Sequence, residues 1–326
     1  MIAWWSVAGE PWAVLLASAP ALAIAIDRLL GEPPLRWHPV AWMGRWLAWA
    51  GERLAPRVGE ARVLSDARVF WFAALSWCAA AAAFFAVAWL FQDWVLTQPA
   101  WLAALALGLF LKPLLAWAML HDEVLAVERA LGESLDAGRA QLARLVSRDV
   151  SALSAHQVRE SAIESLAENL NDSLVAPLFW FVLLGLPGAA LFRFANTADA
   201  MWGYAGERGG RDWRWAGRWA ARADDGLAWL PARITAGLIG VLGRLRGWRR
   251  LPAEARRTPS PNGGWPMAAM ALALGVRLGK PGVYALHAAG LVAQPSDTLR
   301  ACAVGSHCAL AATLLACAAL VGAAVA

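Results

Sequence analysis

Long apolar runs without charge alternate with arginine-rich segments along this chain. Residues 69–91 carry no charged side chain, and residues 94–120 are interrupted only by Lys112. Residues 301–326 form another such run, and a shorter one lies at residues 11–27. A helix needs about 20 apolar residues to cross a bilayer. The pattern therefore predicts an all-α, polytopic integral membrane protein with about four membrane spans.

The arginines set the predicted orientation of these spans. They are concentrated in residues 28–68, 121–172 and 201–300, whereas the short connection at residues 92–93 contains none. Basic segments of membrane proteins tend to stay in the cytoplasm. We therefore expect these three segments to be helical and cytoplasmic, and residues 92–93 to form a turn on the outer side.

A further apolar run, near residues 173–200, conflicts with that orientation. If it crossed the membrane, the arginine-rich segment that follows would be exported. The sequence Gly185-Leu-Pro-Gly188 breaks the run near its middle. Irregular backbone at membrane depth has to be buried in protein. We therefore predict a re-entrant helical hairpin at residues 173–200, within a single membrane-embedded domain that covers residues 1–326.

The composition supports a membrane protein and argues against other classes. Of the 326 residues, 60% are hydrophobic, and the mean hydropathy is +0.47. The net charge of +5 comes from arginines that membrane orientation and anionic lipid headgroups explain, so we predict no nucleic-acid partner. The four cysteines show no C-x-x-C spacing, which predicts packing roles and no metal site.

Four acidic side chains share one face of the predicted helix that precedes the hairpin. Glu160, Glu164, Glu168 and Asp172 follow one another at a spacing of four residues, which returns to nearly the same side of an α-helix. We call these four residues the acidic row. Like charges at this spacing repel each other. The row is either the solvated face of an amphipathic helix or a site for a cation, Mg²⁺ or an amine, to which Asn169 adds an oxygen ligand.

Further polar side chains follow in the return arm of the hairpin and beyond it. Asn196, Thr197 and Asp199 are short residues of the kind that cap helices and form turns. The hairpin is expected to bring them to the same edge as the acidic row. A second acidic pair, Asp224 and Asp225, comes later in the chain. The sequence leaves both interpretations open for these residues, structural caps or parts of a site.

Five blocks of this sequence resemble a known family. They are DRLLGEPPLRWHPVAWMGR, ESLAENLNDSLVAPLFW, GLPGAALFRFANTADAMWGY, AARADDGLAWLPARI and SPNGGWPMAAMALALGVRLGKPGVY. In this order they resemble the adenosylcobinamide-phosphate synthase family of cobalamin biosynthesis, the CobD/CbiB family. The resemblance covers Asp27 to about Tyr284, with Glu32 in the first block where the family commonly has Asp.

The resemblance implies a ligase of the cell inner membrane with its active site on the cytoplasmic side. It would use ATP and Mg²⁺ to join the free propionate carboxylate of adenosylcobyric acid to aminopropanol or its phosphate, giving adenosylcobinamide or its phosphate. The implied partners are this corrinoid, the amine, membrane lipid and other enzymes of the cobalamin pathway. The Gly-Lys of GVRLGKPG does not match G-x-x-x-x-G-K-[ST], so no Walker A loop marks the nucleotide site.

The resemblance and the chemistry of amide formation together give the candidate site residues. The predicted catalytic residues are the carboxylates Glu164, Glu168, Asp172 and Asp199. The predicted Mg²⁺ ligands are Glu168, Asp172, Asp224 and Asp225. The predicted substrate- or phosphate-binding residues are Asp27, His38, Arg148, Asn169, Asn196, Thr197, Arg222, Arg233 and Asn262. Carboxylates suit Mg²⁺ and proton transfer, and arginines suit phosphate oxygens.

Two alternatives belong to other functional classes. A family linked to β-lactamase induction resembles the block that ends in APLFW, which would make this chain a non-enzymatic membrane sensor or accessory protein. That family is not expected to share both the NTADAMWGY and the DD…PAR blocks, and both are present here. A transporter would place polar residues at mid-bilayer, whereas here they cluster outside the long apolar runs.

Overall fold

The computed structural model describes residues 14–59 and 64–325, and helices make up most of them. The chain divides into two compact units. The first unit comprises Met1–Leu115, Pro177–Ala228 and Ala316–Ala326, and the second comprises Ala116–Ala176 and Trp229–Leu315. Each unit is therefore assembled from segments that are distant in sequence.

The regular elements, numbered in chain order, are mostly helices joined by short connections. The α-helices are α1 (Ala19–Leu30), α2 (Pro39–Leu54), α3 (Asp66–Leu96), α4 (Ala100–Leu111), α5 (Trp117–Glu133), α6 (Leu135–Leu142), α7 (Ala155–Leu170), α8 (Ala176–Leu184), α9 (Leu186–Trp202), α10 (Arg218–Leu242), α11 (Leu251–Ala255), α12 (Gly264–Leu274) and α13 (Pro295–Val325). Short 3₁₀ turns lie at Lys112–Leu114 and Trp248–Arg250, and a π-helical segment lies at Asn171–Val175. The strands are β1 (Glu207–Arg208), β2 (Arg211–Asp212), β3 (Leu278–Lys280) and β4 (Tyr284–Leu286).

Three helices within the described part of the chain are long and apolar enough to cross a membrane. They are Asp66–Leu96, Pro295–Ala323 and the stretch Ala100–Glu133, in which the 3₁₀ turn joins α4 to α5. They overlap the predicted spans at residues 69–91, 94–120 and 301–326, although the second of these predicted spans begins in α3 and includes the turn at residues 97–99. The predicted span at residues 11–27 starts outside the described residues, and α1, which contains its later part, has 12 residues, about 18 Å of helix.

The predicted outer turn at residues 92–93 is wrong, because both residues lie inside α3. The chain turns instead at residues 97–99. Gln92 is a buried residue, and its Oε1 accepts a hydrogen bond of 2.7 Å from the backbone N–H of Leu186, the first residue of α9. A polar residue that resembles a turn residue in the sequence is therefore needed inside the helix to satisfy another helix end.

The predicted break in the apolar run at residues 173–200 is confirmed. Gly185 separates α8 from α9 with φ +72°, and Pro187 follows in the first turn of α9. A residue with a side chain is strained at such a φ. The nine residues of α8 rise about 14 Å, well short of a hydrocarbon core of about 30 Å. The re-entrant course of this hairpin stays a prediction.

In the second unit, α7 is a central helix. Ser154 and Gln157 form a capping box at its start, which satisfies backbone N–H groups that the helix leaves open. The helix packs against α5, α6, α12 and β3. Its apolar residues Ile163, Leu166, Ala167 and Leu170 are fully buried, and several polar residues on its other faces are buried as well. The prediction of an amphipathic helix with one solvated face is therefore wrong.

The described residues are mostly helical, as the all-α prediction expects, and two small antiparallel β-hairpins accompany the helices. In the first unit β1 pairs with β2, and in the second unit β3 pairs with β4. The strands have two or three residues each, too few for an alternating pattern to show in the sequence. Between β3 and β4, Pro281 and Gly282 occupy the turn, with Gly282 at φ +73°, which suits a type II turn.

Candidate functional site

The acidic row divides into a buried and a half-buried pair. The side chains of Glu160 and Glu164 lie inside the second unit, with 2% and 4% of each residue exposed. Glu168 and Asp172 are half-buried. Buried carboxylates are costly unless they are paired or protonated. The interpretation of the row as a solvated face is therefore wrong for its first two members, and their surroundings have to be identified.

Glu164 lies between an arginine and a tyrosine. Arg148 Nη2 is 3.5 Å from Glu164 Oε2 and also donates to the Ser161 hydroxyl on the same helix. The Tyr284 side chain on β4 faces the same carboxyl. Burial raises the pKa of Glu164 to about 7, although the nearby Arg148 charge opposes the shift. This carboxyl therefore exchanges a proton near neutral pH, which is useful for acid–base chemistry.

The sequence analysis assigned no role to two residues that contact the buried acids. Arg277 Nη2 is 3.1 Å from Glu160 Oε1, and burial raises the pKa of Glu160 while Arg277 opposes that shift. Burial and the charges of Glu164 and Glu168 raise the pKa of Tyr284, so its hydroxyl stays protonated. Both residues belong to GVRLGKPGVY, the end of one of the five family blocks, in which the sequence marks no Walker A loop.

A short loop lies against Glu168. A Cβ added to Gly263 would lie 2.7 Å from Glu168 Oε1, so only glycine leaves this carboxylate in its position. The neighbouring Asn262 is buried, and its Oδ1 accepts a hydrogen bond from Arg233. The structure thus brings together three of the predicted site residues, Glu168, Asn262 and Arg233, within the second unit.

Arg233 is held rigidly by its neighbours. Its guanidinium lies 4.7 Å and 4.8 Å from the ring centroids of Trp229 and Trp265, on which it makes cation–π contacts. It also donates to the backbone carbonyls of Trp229 and Pro261, at 2.9 and 3.0 Å. Because these partners and Asn262 occupy its N–H groups, Arg233 is suited to positioning the loop beside Glu168.

Asp172 lies in the π-helical segment, just beyond the end of α7. Its Oδ1 accepts a hydrogen bond of 2.8 Å from Asn171, whose own Oδ1 accepts one of 3.1 Å from Thr235. The π-helical turn ends the regular four-residue spacing of the acidic row, and such turns frequently occur at functional sites. Asn169, by contrast, donates to the backbone carbonyl of Ser165 on its own helix.

The first unit contains a separate cluster of charged residues. Lys112 Nζ is 2.8 Å from Glu32 Oε2 and 3.4 Å from Asp27 Oδ1. His38 Nδ1 accepts a hydrogen bond from the N–H of Val40, so the proton of the neutral ring is on Nε2, which lies 3.1 Å from Glu32. Burial raises the pKa of Glu32, but the His38 and Lys112 contacts outweigh it and lower that pKa.

This cluster contains the predicted binding residues Asp27 and His38 and shows how they are held. Asp27 is 1% exposed, which favours a structural role beside Lys112 over direct contact with a substrate. Lys112 itself was not predicted as a site residue. The signal in the sequence was a single charge inside an apolar run, because such charges usually pair with another buried group.

The remaining predicted residues of the first unit lie on α9 and α10. Thr197 donates to the backbone carbonyl of Arg193, and Asn196 accepts from the Arg193 guanidinium. These contacts fit the structural interpretation of both residues. Burial raises the pKa of Asp225. Asp199 lies on α9, Arg222 and Asp224 lie on α10, and all of these residues belong to the first unit, whereas the acidic row belongs to the second.

The predicted Mg²⁺ ligands are distributed in the same way between the units. Glu168 and Asp172 belong to the second unit, and Asp224 and Asp225 to the first. Within residues 14–59 and 64–325, no group of three or more His, Cys, Asp or Glu side chains is arranged to hold a metal ion. Mg²⁺ that bridges to substrate phosphates commonly uses only one or two carboxylates. The half-buried Glu168 and Asp172 fit that requirement.

Comparisons with known proteins address the family of the chain. The model of the CobD/Cbib protein family matches residues 20–311. The chain belongs to the CobD/Cbib family. Its curated relatives include the probable cobalamin biosynthesis protein CobD of Methanothermobacter thermautotrophicus, which is 42% identical over 271 residues, covering 81% of this chain and 84% of the relative.

Another relative of this CobD/Cbib protein is the cobalamin biosynthesis protein CobD of Chromobacterium violaceum, 44% identical over 264 residues, covering 79% of this chain and 80% of the relative. The probable cobalamin biosynthesis protein CobD of Thermococcus kodakarensis is 39% identical over 268 residues, covering 81% and 82%. No solved structure matches the chain. These relatives support a role in cobalamin biosynthesis and give no support to the sensor or accessory-protein alternative.

Proposed function

We propose that this CobD/Cbib protein is an ATP-dependent ligase that joins the free propionate carboxylate of adenosylcobyric acid to aminopropanol or its phosphate. One observation carries the proposal. Glu164 is a buried carboxyl with a pKa of about 7, on the same helix as Glu168 and in contact with Arg148. Amide formation requires a base for the amine, and a base works best when its pKa lies near the working pH.

The proposed reaction has two steps. The propionate carboxylate attacks the terminal phosphorus of ATP, which gives an acyl phosphate and releases ADP. The amine nitrogen then attacks the acyl carbon, the C–O bond to phosphate breaks, and phosphate leaves. The proton lost by the amine passes to the Glu164 carboxylate, and Arg148 stabilises that carboxylate when it is ionised.

The half-buried acids have a different role in this proposal. Glu168 and Asp172 would hold Mg²⁺, which neutralises charge on the nucleotide phosphates during transfer. Gly263 leaves room for the Glu168 carboxylate, and Asn171 orients the carboxylate of Asp172. Arg233 acts as a positioning residue, because its contacts fix the loop that carries Gly263.

We place this enzyme in the inner membrane as a multi-pass protein, because three of its helices are long and apolar enough to cross a bilayer. ATP is available in the cytoplasm, so a site that uses ATP has to open on the cytoplasmic side. Membrane lipid and other enzymes of the cobalamin pathway are the partners that fit this location. The corrinoid and the amine would reach the site from the same side.

The experiment measures amide formation directly. Purified full-length protein is incubated with adenosylcobyric acid, ATP, Mg²⁺ and either aminopropanol or its phosphate, and the amide is detected by mass. Glu168→Gln and Asp172→Asn should abolish product while the protein stays folded. Glu123→Gln is the matched control, because Glu123 is likewise a half-buried carboxylate of the second unit but lies outside the candidate site, paired with Arg144 at 2.7 Å. Product from both site variants at the wild-type rate would refute the assigned roles.

A further inference from the structure

A pocket in the second unit includes Glu160 of the acidic row but none of the predicted catalytic, Mg²⁺-binding or substrate-binding residues. It has a volume of about 360 Å³ and lies between α7 and the β3–β4 hairpin. Glu160 and Gln157 contribute from α7, Arg277 precedes β3, and the turn at residues 280–283 forms another wall. The volume lies within the range of about 300–1,000 Å³ that is usual for small-molecule sites.

The charged side chains of this pocket are mostly cationic. Arg277 and Lys280 face a single carboxylate, that of Glu160. Glu160 pairs with Arg277, and no ion pair is found for Lys280 among the described residues. The chain has only two lysines, at positions 112 and 280, among its 29 Lys and Arg residues. The Lys280 ammonium is therefore a charge that the protein itself does not neutralise in this pocket.

The backbone of the hairpin holds this lysine in a fixed position. The N–H of Val283 donates to the Lys280 carbonyl at 3.0 Å, which closes the turn. Pro281 and Gly282 occupy the two central positions of this turn. A Cβ on Gly279 would lie 2.9 Å from the Tyr284 carbonyl oxygen, so the two strands are close together at this position. The backbone that carries this cation therefore loses little conformational freedom when an anion binds.

Tyr284 connects the pocket to the predicted chemistry. It lines the pocket, and the same side chain faces the carboxyl of Glu164. A molecule in the pocket would therefore lie next to the residue that we assign as the base.

We infer that this pocket is a phosphate-binding subsite that holds a substrate's phosphate group through Lys280 and Arg277. The inference rests on the proposed function, since that function supplies two sources of such a group. One is the phosphate of a phosphorylated amino alcohol, and the other is the phosphates of the nucleotide. Both present tetrahedral anionic oxygens, which lysine and arginine bind by charge-assisted hydrogen bonds.

Binding measurements on the full-length protein in detergent test the inference without requiring turnover. The probes are inorganic phosphate, aminopropanol phosphate and a non-hydrolysable ATP analogue with Mg²⁺, each titrated by calorimetry. The test variant is Lys280→Gln, because loss of Arg277 would leave the buried Glu160 without its partner. Arg249→Gln is the control, since Arg249 is an exposed cation of the same unit outside the pocket.

We expect Lys280→Gln to weaken binding of at least one phosphate-bearing probe by about tenfold or more, the effect of one lost charge-assisted hydrogen bond. Lys280→Arg should retain binding, and Arg249→Gln should match the wild type. Weakening confined to aminopropanol phosphate identifies the amine as the source, and weakening confined to the ATP analogue identifies the nucleotide. Equal affinity of the wild type and Lys280→Gln for all three probes would overturn the inference.

Failure of the inference and failure of the proposed function give different results. If the wild type forms no amide with either amine, the proposed function fails, whatever the binding measurements show. If the amide forms but Lys280→Gln binds every probe as tightly as the wild type, only the phosphate subsite fails. Thermal unfolding of each variant shows that a loss of binding does not come from unfolding.

Discussion

Replacing Glu164 with glutamine removes the charge of one buried carboxyl and preserves its size. The pKa of this group is about 7 in the folded protein, compared with 4.5 for an ordinary glutamate. Each pH unit between these two values corresponds to about 1.4 kcal/mol. The two pKa values differ by about 2.5, so ionisation of Glu164 destabilises the folded protein by roughly 3 kcal/mol.

The direction of the pKa shift determines the pH range in which the wild type loses folding stability. Since the folded protein binds the Glu164 proton more tightly than the unfolded chain does, the wild type loses stability as pH rises from 4.5 to about 7. Glutamine resembles the protonated form at every pH. Glu164→Gln should therefore match the wild type near pH 4.5 and exceed its stability by roughly 3 kcal/mol at pH 8.

Two assays on the same preparations test this prediction. Unfolding in detergent, followed by circular dichroism at pH 4.5 and pH 8, measures the stability difference. Amide formation from pH 5.5 to pH 8.5 measures function, and in the wild type it should fall as pH decreases through about 7, because the base becomes protonated. Glu164→Gln should form no amide at any of these pH values. A variant that is more stable and inactive is expected only when a costly charge is kept for function.

Specific results would refute this reasoning. If Glu164→Gln is no more stable than the wild type at pH 8, the pKa of this carboxyl is not raised in the folded protein. If the variant retains turnover with an unchanged pH profile, Glu164 is not the base. Glu123→Gln serves as the control again, and it should change neither the pH profile nor the stability difference between the two pH values.

The remaining predictions concern the other parts of the structure. Gly263→Ala should displace the Glu168 carboxylate and reduce amide formation at least about tenfold, with little loss of stability because the displaced group is the end of a flexible side chain. Lys112→Met should destabilise the protein by roughly 3 kcal/mol because it removes the ammonium that pairs with the buried Asp27 and with Glu32, and adding Asp27→Asn should recover part of that loss. A cysteine at the exposed Pro261 position should react with a membrane-impermeant thiol reagent only from the cytoplasmic side of sealed vesicles.

Each of these tests has a control and an outcome that contradicts it. Gly237→Ala adds a Cβ with no atom within 4 Å, and it should keep full activity; equal activity of Gly263→Ala would contradict the role of that glycine. Wild-type stability of Lys112→Met, measured by thermal unfolding in detergent, would contradict the buried pairing. The labelling uses a background with Cys78 replaced, because Cys78 is exposed, and labelling from the outer side would contradict a cytoplasmic site.

The sequence by itself determined the helical class, three stretches long and apolar enough to cross a membrane, and the break at Gly185. These features depend on local patterns, namely the length of an apolar run, the absence of charge and a glycine where the backbone needs a positive φ. The family resemblance also comes from the sequence, and the match of the family model to residues 20–311 confirmed it. The same local reasoning missed both β-hairpins, because strands of two or three residues are formed by their turns and neighbours.

Only the tertiary structure decided which polar residues are buried and what they contact. Within the sequence, the acidic row is identical whether it faces water or protein. Arg277 follows Glu160 by 117 positions, yet their side chains form an ion pair. The pKa of Glu164 depends on the hairpin and the arginine that pack around it. Burial and ion pairing are set by contacts between distant segments, and a local pattern of residues does not encode those contacts.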